Sequence, residues 1–180
     1  MRALVLATLF SLTAAAAAFA ADMTAPVKVV MDITAGNWAE SEGEAEYRDL
    51  FDEAQLGRLY SRDFVEKYRA AAKFPAYDEG TSPFDYDVIA GGQDGCPLKD
   101  VTIEQKGQEG AATEVDATFK NRTCFGDDAE YQQAATVKFM VVEESGKPVI
   151  DDILTQGGDD AAYGSLKDTM AEIARLGQGG

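Results

Sequence analysis

The spacing of apolar residues changes once along this chain, and that change constrains the fold more than any other feature. Before Pro83 the apolar residues recur every three or four positions, as on one face of an α-helix. After Pro83 they alternate with polar residues, as in strands that bury one face. We therefore expect an α+β fold, in which N-terminal helices pack on a curved antiparallel sheet of four or more strands and a C-terminal helix follows.

Capping residues predict where the helices begin. Residues 26–33 carry Pro at the first turn, although their β-branched content leaves a strand open as an alternative. Asp52 and Ser61 stand before two further apolar-periodic stretches and are suited to cap them. Ser165 opens a C-terminal helix predicted over residues 165–176. Strands are predicted for segments 86–89, 101–104, 114–119, 135–142 and 149–154.

The first twenty residues have the pattern of a signal peptide. Arg2 supplies a positive start, an alanine-rich apolar run follows, and Ala18-Phe19-Ala20 fits the small-x-small cleavage pattern. A membrane anchor is the alternative, since about eighteen apolar residues approach the length of a span. We expect cleavage, no membrane anchor afterwards, a periplasmic or secreted location, and one domain over residues 21–180 with its core at about 26–154.

The two cysteines, Cys96 and Cys124, are expected to form one structural disulfide. An exported chain meets an oxidising compartment in which such a pair closes. A redox pair would favour the Cys-x-x-Cys spacing, which is absent. A metal site would need further ligands, and the chain has no histidine. We therefore expect neither a metal nor a cofactor.

Charge excludes one class of partner. The chain holds 32 acidic and 16 basic residues, a formal net charge of -16, and loss of Arg2 with the signal peptide would leave 15 minus 32, or -17. Nucleic-acid binding requires clustered Lys and Arg and is not expected. The acidity serves solubility, or it matches a cationic partner or a divalent metal.

An ordered set of short segments resembles a known group of proteins. Leu56-Gly57-Arg58-Leu59-Tyr60, then residues 84–89 and 91–94, then residues 146–153 are similar to an uncharacterised family of small exported bacterial proteins. That family is similar to the nuclear-transport-factor-2-like superfamily. The resemblance covers residues 26–154 and implies helices that cover a strongly curved sheet to make a cone with an apolar pocket.

The resemblance also suggests where a ligand would bind. Tyr60, Asp94 and Asp152 lie in the matching segments and are the candidate ligand-binding residues. In a histidine-free lyase or isomerase of this fold, a buried carboxylate would abstract a proton while a tyrosine donates to the substrate oxygen. A structural role for all three residues is the alternative. We assign no catalytic residue.

Three functions remain open at this point. The first is a non-enzymatic binding module that holds a small apolar ligand or an envelope partner. The second is an acidic inhibitor or immunity protein that covers the basic cleft of a wall-degrading or toxic enzyme. The third is the lyase or isomerase. We expect binding rather than catalysis, with a small apolar ligand or a basic protein as the partner.

Overall fold

The computed structural model describes residues 21–40, 46–157 and 162–179. The predicted signal peptide lies outside these residues. Within them the fold is α+β, as expected, and its elements run in this order: α1 (Ala25–Asn37), α2 (Glu53–Leu59), α3 (Arg62–Ala71), β1 (Lys99–Glu109), β2 (Ala112–Lys120), a short 3-10 helix (Ala129–Gln132), β3 (Ala135–Glu144), β4 (Lys147–Gln156), β5 (Tyr163–Ser165) and α4 (Leu166–Gln178). No helix in the described ranges is long and apolar enough to cross a membrane.

The helices begin where the capping residues predict. Asp52, Ser61 and Ser165 each accept a hydrogen bond from the backbone amide three residues on, at 2.7, 3.0 and 3.1 Å. Each bond satisfies one of the amides that a helix leaves unpaired at its start. The first segment is the helix α1 rather than a strand, with Pro26 in its first turn. These confirm the predicted helix starts.

The C-terminal helix runs beyond the predicted end at residue 176. Gly177 lies inside α4, which continues to Gln178. A Cβ on Gly177 would come within 2.2 Å of Cγ of Phe74. Glycine is therefore required at this position by the close approach of the Phe74 ring, and it does not end the helix.

The strands form one antiparallel sheet in the order β1-β2-β3-β4-β5. Four of the predicted segments, 101–104, 114–119, 135–142 and 149–154, lie in β1, β2, β3 and β4. The short strand β5 was not predicted. The edge strand β1 is exposed along most of its length and carries charged side chains, which oppose edge-to-edge pairing with other chains.

The prediction of a strand over residues 86–89 is wrong. The segment is a turn with one isolated bridge, between Asp87 and Gly92. The Oδ1 atom of Asp87 accepts hydrogen bonds from the amides of Ile89 and Ala90, at 2.8 and 2.9 Å. A carboxylate that binds its own following amides stabilises a turn, and this local bonding outweighs the alternating pattern of the sequence.

The core lies between the helices and the sheet. All four helices contact β4, and α1 also contacts β2. The largest side chains in this layer, among them Phe64, Phe119 and Phe139, are fully buried. Alternate residues of β2 point into it, as the sequence pattern predicts.

Two adjacent aspartates of β4 hold the helices to the sheet. Asp151 accepts hydrogen bonds from the Ser61 hydroxyl at the start of α3 and from the Lys167 ammonium of α4, at 2.7 and 2.8 Å. Asp152 accepts from the Ser165 hydroxyl at 2.6 Å and from the amide of Lys167 at 3.1 Å. These carboxylates have neighbouring donors that replace the water lost on packing.

The predicted disulfide between Cys96 and Cys124 is confirmed. It joins the segment before β1 to the segment after β2. Near it, the Cys96 amide donates to the carbonyl of Asn121 at 2.8 Å, and the Asn121 side-chain amide donates to the carbonyl of Ala90 at 2.6 Å. The disulfide therefore ties β2 to the loop that contains the turn at Asp87.

Candidate functional site

A cleft of about 690 Å³ opens where the end of α1, the segment before α2 and the loop before β1 meet. We call it the aromatic-acidic cleft, because its described lining residues include six aromatic rings and three carboxylates and no Lys or Arg. The rings belong to Trp38, Tyr47, Phe51, Tyr77, Phe84 and Tyr86, and the carboxylates to Asp49, Asp85 and Asp87.

Hydrogen bonds fix the end of α1 against the next segment. The side chain of Asn37 donates to the carbonyl of Arg48 at 2.8 Å and accepts from the amide of Arg48 at 2.9 Å. The next residue, Asp49, accepts from the amide of Phe51 at 2.9 Å. One wall of the cleft is therefore held by paired amide groups that leave little freedom to the backbone.

Trp38 is held on two sides. Its indole Nε1 donates to Oδ2 of Asp87 at 2.8 Å. Its ring lies against Gly95, where a Cβ would come within 2.6 Å of the ring atom Cζ3. The only tryptophan of the chain is therefore a positioned wall of the cleft.

The loop that carries Asp85 and Asp87 is closed by backbone bonds. The amide of Asp87 donates to the carbonyl of Gly92 at 3.1 Å, and the amide of Gly91 donates to the carbonyl of Asp87 at 2.8 Å. Gly91 has a φ of 78°, in the region that favours glycine. The Gln93 side chain donates to the carbonyl of Asp85 at 2.8 Å. These hydrogen bonds fix the backbone of the loop that carries Asp85 and Asp87.

Aromatic stacking forms the floor. The ring of Phe51 lies 4.9 Å from that of Tyr68, 5.6 Å from that of Tyr60 and 5.9 Å from that of Phe84, between centroids. Phe51 and Phe84 are 8 % and 7 % exposed. The mouth, in contrast, is formed by tyrosines 47, 77 and 86, which are 70 %, 60 % and 41 % exposed. The cleft therefore has a packed apolar floor and a mouth lined by solvent-accessible tyrosine rings.

The tyrosine hydroxyls near the carboxylates stay neutral. Partial desolvation by the surrounding protein raises the pKa of Tyr47, although its ring is largely exposed, and the nearby Asp49 carboxylate raises it further. Burial likewise raises the pKa of Tyr86, with a further contribution from Asp85. Behind the floor, burial and Asp49 raise the pKa of Tyr68 to about 12. The formal charge of the cleft is therefore that of its three carboxylates, -3.

Such a cleft is suited to a cation. Aromatic faces attract ammonium and guanidinium groups through the negative potential of the ring, and carboxylates accept charge-assisted hydrogen bonds from the same groups. A fixed Trp38 and Asp87 would be in place before a ligand arrives. In residues 21–40, 46–157 and 162–179 no group of three or more His, Cys, Asp or Glu side chains is arranged to hold a metal ion.

The three residues predicted from the sequence are not brought together. Tyr60 is buried in the aromatic stack, where its hydroxyl has no hydrogen-bond partner among the described residues and burial raises its pKa. Asp94 is exposed in the loop before β1. Asp152 is 9 % exposed and is occupied by Ser165 and by backbone amides. No hydrogen bond joins any two of Tyr60, Asp94 and Asp152.

The cleft residues were missed because they come from three separate segments. The alternating pattern predicted a strand over residues 86–89, which include Tyr86 and Asp87 of the cleft. One feature of the sequence could have indicated the cleft: aromatic and acidic residues are concentrated in residues 84–87, close to glycines typical of loops. Comparisons with protein-family models, with curated proteins and with solved structures found no match to this chain.

Proposed function

We propose that this protein is an exported, non-enzymatic binding module whose aromatic-acidic cleft takes an ammonium or guanidinium group of a basic partner protein. The observation that carries the proposal is the lining of the cleft, whose described residues provide six aromatic rings, three carboxylates and no cationic side chain. Export is supported by the disulfide, which persists in oxidising compartments, and by the pattern of residues 1–20.

The cleft offers interactions that add up to useful affinity. A cation over an aromatic face contributes about 0.5–1 kcal/mol at an exposed site and about 2 kcal/mol when water is excluded. Because Trp38 is already hydrogen-bonded to Asp87, binding need not order that ring, and preorganisation of this kind preserves affinity. The net charge of -16 would also speed the approach of a basic partner.

Core packing favours this surface site over an apolar ligand inside the cone. The side chains of Phe64, Phe119 and Phe139 are fully buried between helices and sheet, in the position that such a ligand would take. The lyase or isomerase alternative lacks a shared hydrogen-bonded site, because no hydrogen bond in the described part of the chain joins any two of its three candidate residues. Both alternatives stay predictions, and a small molecule retained in native mass spectrometry would favour the first.

Calorimetry with a short lysine-rich peptide tests the proposal, and the same peptide with acetylated lysines is the control ligand. Asp85→Asn removes one exposed cleft charge, whose carboxylate accepts no side-chain hydrogen bond from a described residue, and should weaken binding about fivefold. Glu109→Gln removes an equivalent exposed charge at the end of β1 and should leave the affinity unchanged. Equal binding of both peptides would reject the proposal.

A further inference from the structure

A second concavity, of about 940 Å³, lies between α2, α3 and the turn that joins β3 to β4. Gly57, Val65 and Ser145 mark these three sides. We call it the basic groove, because five of the 16 Lys and Arg residues of the chain line it: Arg58, Arg62, Arg69, Lys73 and Lys147.

The charge of the basic groove is opposite to that of the protein. Two of its described lining residues are acidic, Glu66 and Glu144, so five positive and two negative side chains leave a formal excess of three positive charges. The whole chain has a formal net charge of -16. A concave region whose charge is opposite to that of the rest of the surface raises the local concentration of anionic ligands, which the rest of the surface repels.

Several of these cations are available to a ligand. Lys73 and Lys147 have no ion pair or hydrogen bond from their ammonium groups to any residue in the described part of the chain. Arg62 meets Glu144 only at 3.4 Å, and its side chain is 90 % exposed. Two guanidinium groups do have partners: Arg58 donates to the Gln55 side chain at 2.9 Å, and Arg69 is paired with Glu53 at 2.6 Å. The cationic side chains of Arg62, Lys73 and Lys147 therefore have weak partners or none among the described residues, and they can donate hydrogen bonds to a ligand.

The floor between the cations is apolar. Leu56, Val65, Ala70 and Val149 line it from three different elements. Gly57 has no side chain, and a Cβ placed there would meet no atom within 4 Å, so this wall is open. Ligand sites commonly combine an apolar lining with a few charged groups that orient the ligand.

We propose that the basic groove is a binding site for a small amphiphilic anion, a carboxylate or phosphate group joined to a short apolar body. Arg and Lys bind both anionic groups, Arg through its planar fork and Lys as a point charge. The apolar body lies over Leu56 and Val149, and the anionic group meets Lys73 and Lys147. This site shares no lining residue with the aromatic-acidic cleft, so it stands or falls independently of the proposed function.

Calorimetry with octanoate, octyl phosphate and octanol tests this site in the whole mature chain. Octanoate and octyl phosphate should bind, and octanol should not. Lys73→Glu and Lys147→Glu should each weaken octanoate binding about tenfold, since a hydrogen bond to a charged group is lost and repulsion is added. Lys99→Glu changes an exposed residue on β1, and this matched control should leave the affinity for octanoate unchanged.

Filling the groove gives a second test. Gly57→Trp should abolish octanoate binding, whereas Gly57→Ala should retain it, with circular dichroism confirming that both variants fold. Three results would overturn the proposal: equal binding of octanol and octanoate, equal losses in Lys73→Glu and Lys99→Glu, or binding of anionic lipid vesicles with none of free octanoate.

Discussion

The indole nitrogen of Trp38 donates a hydrogen bond to Asp87 across a sequence separation of 49 residues, at 2.8 Å. This bond joins the end of α1 to the loop before β1 and so connects two walls of the aromatic-acidic cleft. The other oxygen of Asp87 holds its own turn through the amides of Ile89 and Ala90. One carboxylate therefore sets both the loop and the orientation of the indole.

Removing that carboxylate should destabilise the fold and release the indole. Asp87→Ala loses three hydrogen bonds, and we expect a decrease of about 2–3 kcal/mol in the free energy of unfolding, at roughly 1 kcal/mol per bond. Urea denaturation measures the decrease, and a red shift of Trp38 fluorescence would report the released ring. Asp85→Ala, in the same loop, is the control, and equal losses in the two variants would contradict this role for Asp87.

The disulfide should contribute substantially to stability. Closing a loop with a sequence separation of 28 residues restricts the unfolded chain by about 3.5 kcal/mol on the chain-entropy model. We therefore expect the double variant Cys96→Ala, Cys124→Ala to lose about that much in urea denaturation. Unchanged stability would show that the bond does not constrain the unfolded state. Intact mass after thiol alkylation, which should show no free thiol in the parent protein, checks that the bond forms.

Two glycines in helices should respond to alanine in opposite directions. Gly177→Ala places a Cβ against the Phe74 ring and should lower the free energy of unfolding by about 1–3 kcal/mol. Gly57→Ala meets no atom within 4 Å and should raise it by up to about 1 kcal/mol, because alanine favours the helix. Thermal unfolding of the two variants measures both changes. If both substitutions raised the stability, the Phe74 ring would have to move aside freely.

Stability should decrease at high pH. The pKa of Tyr68 is raised to about 12 by burial and by Asp49, whereas an unfolded tyrosine has a pKa of about 10. The unfolded chain therefore loses this proton first, so the stabilising contribution is complete below pH 10 and is lost as the pH rises from 10 to 12.

The effect of Tyr68 should be about 2 kcal/mol over that range. Tyr68→Phe should make the decrease in urea-derived stability between pH 10 and 12 less steep by that amount. Tyr77→Phe changes a 60 % exposed ring and is the control. A parallel pH dependence of Tyr68→Phe and the parent protein would refute the assignment.

Local patterns in the sequence account for most of the fold. Helix starts at Asp52, Ser61 and Ser165 are capped by side chains within three residues, so each is encoded locally. Alternation predicts β2, β3 and β4 for the same reason, since each of these strands has buried positions on one face, whereas β1 is exposed along most of its length. The end of α4 was misplaced because the reason for Gly177 is a tertiary contact with Phe74, which no local pattern contains.

The candidate site could not be predicted in the same way. Its parts lie at Trp38, at Tyr47 to Phe51 and at Tyr77 to Gln93, and the bond between Trp38 and Asp87 depends on the assembled fold. The alternating residues 86–89 fit a strand equally well until the side-chain bonds of Asp87 are counted. The residues inferred from the family resemblance include Tyr60, which lies in the aromatic stack, and Asp152, which lies at the attachment of α4. A ligand-binding role for them stays a prediction.

The most direct test of the proposed function is the fluorescence of Trp38 during titration with a lysine-rich peptide. Because this is the only tryptophan and it lines the cleft, its emission reports the site itself. We predict a saturable change with the peptide, weakened by Asp85→Asn and by added salt, and no change with the acetylated peptide. A fluorescence response that is the same for both peptides, or none at all while the basic peptide binds by calorimetry, would contradict binding of a cation in the aromatic-acidic cleft.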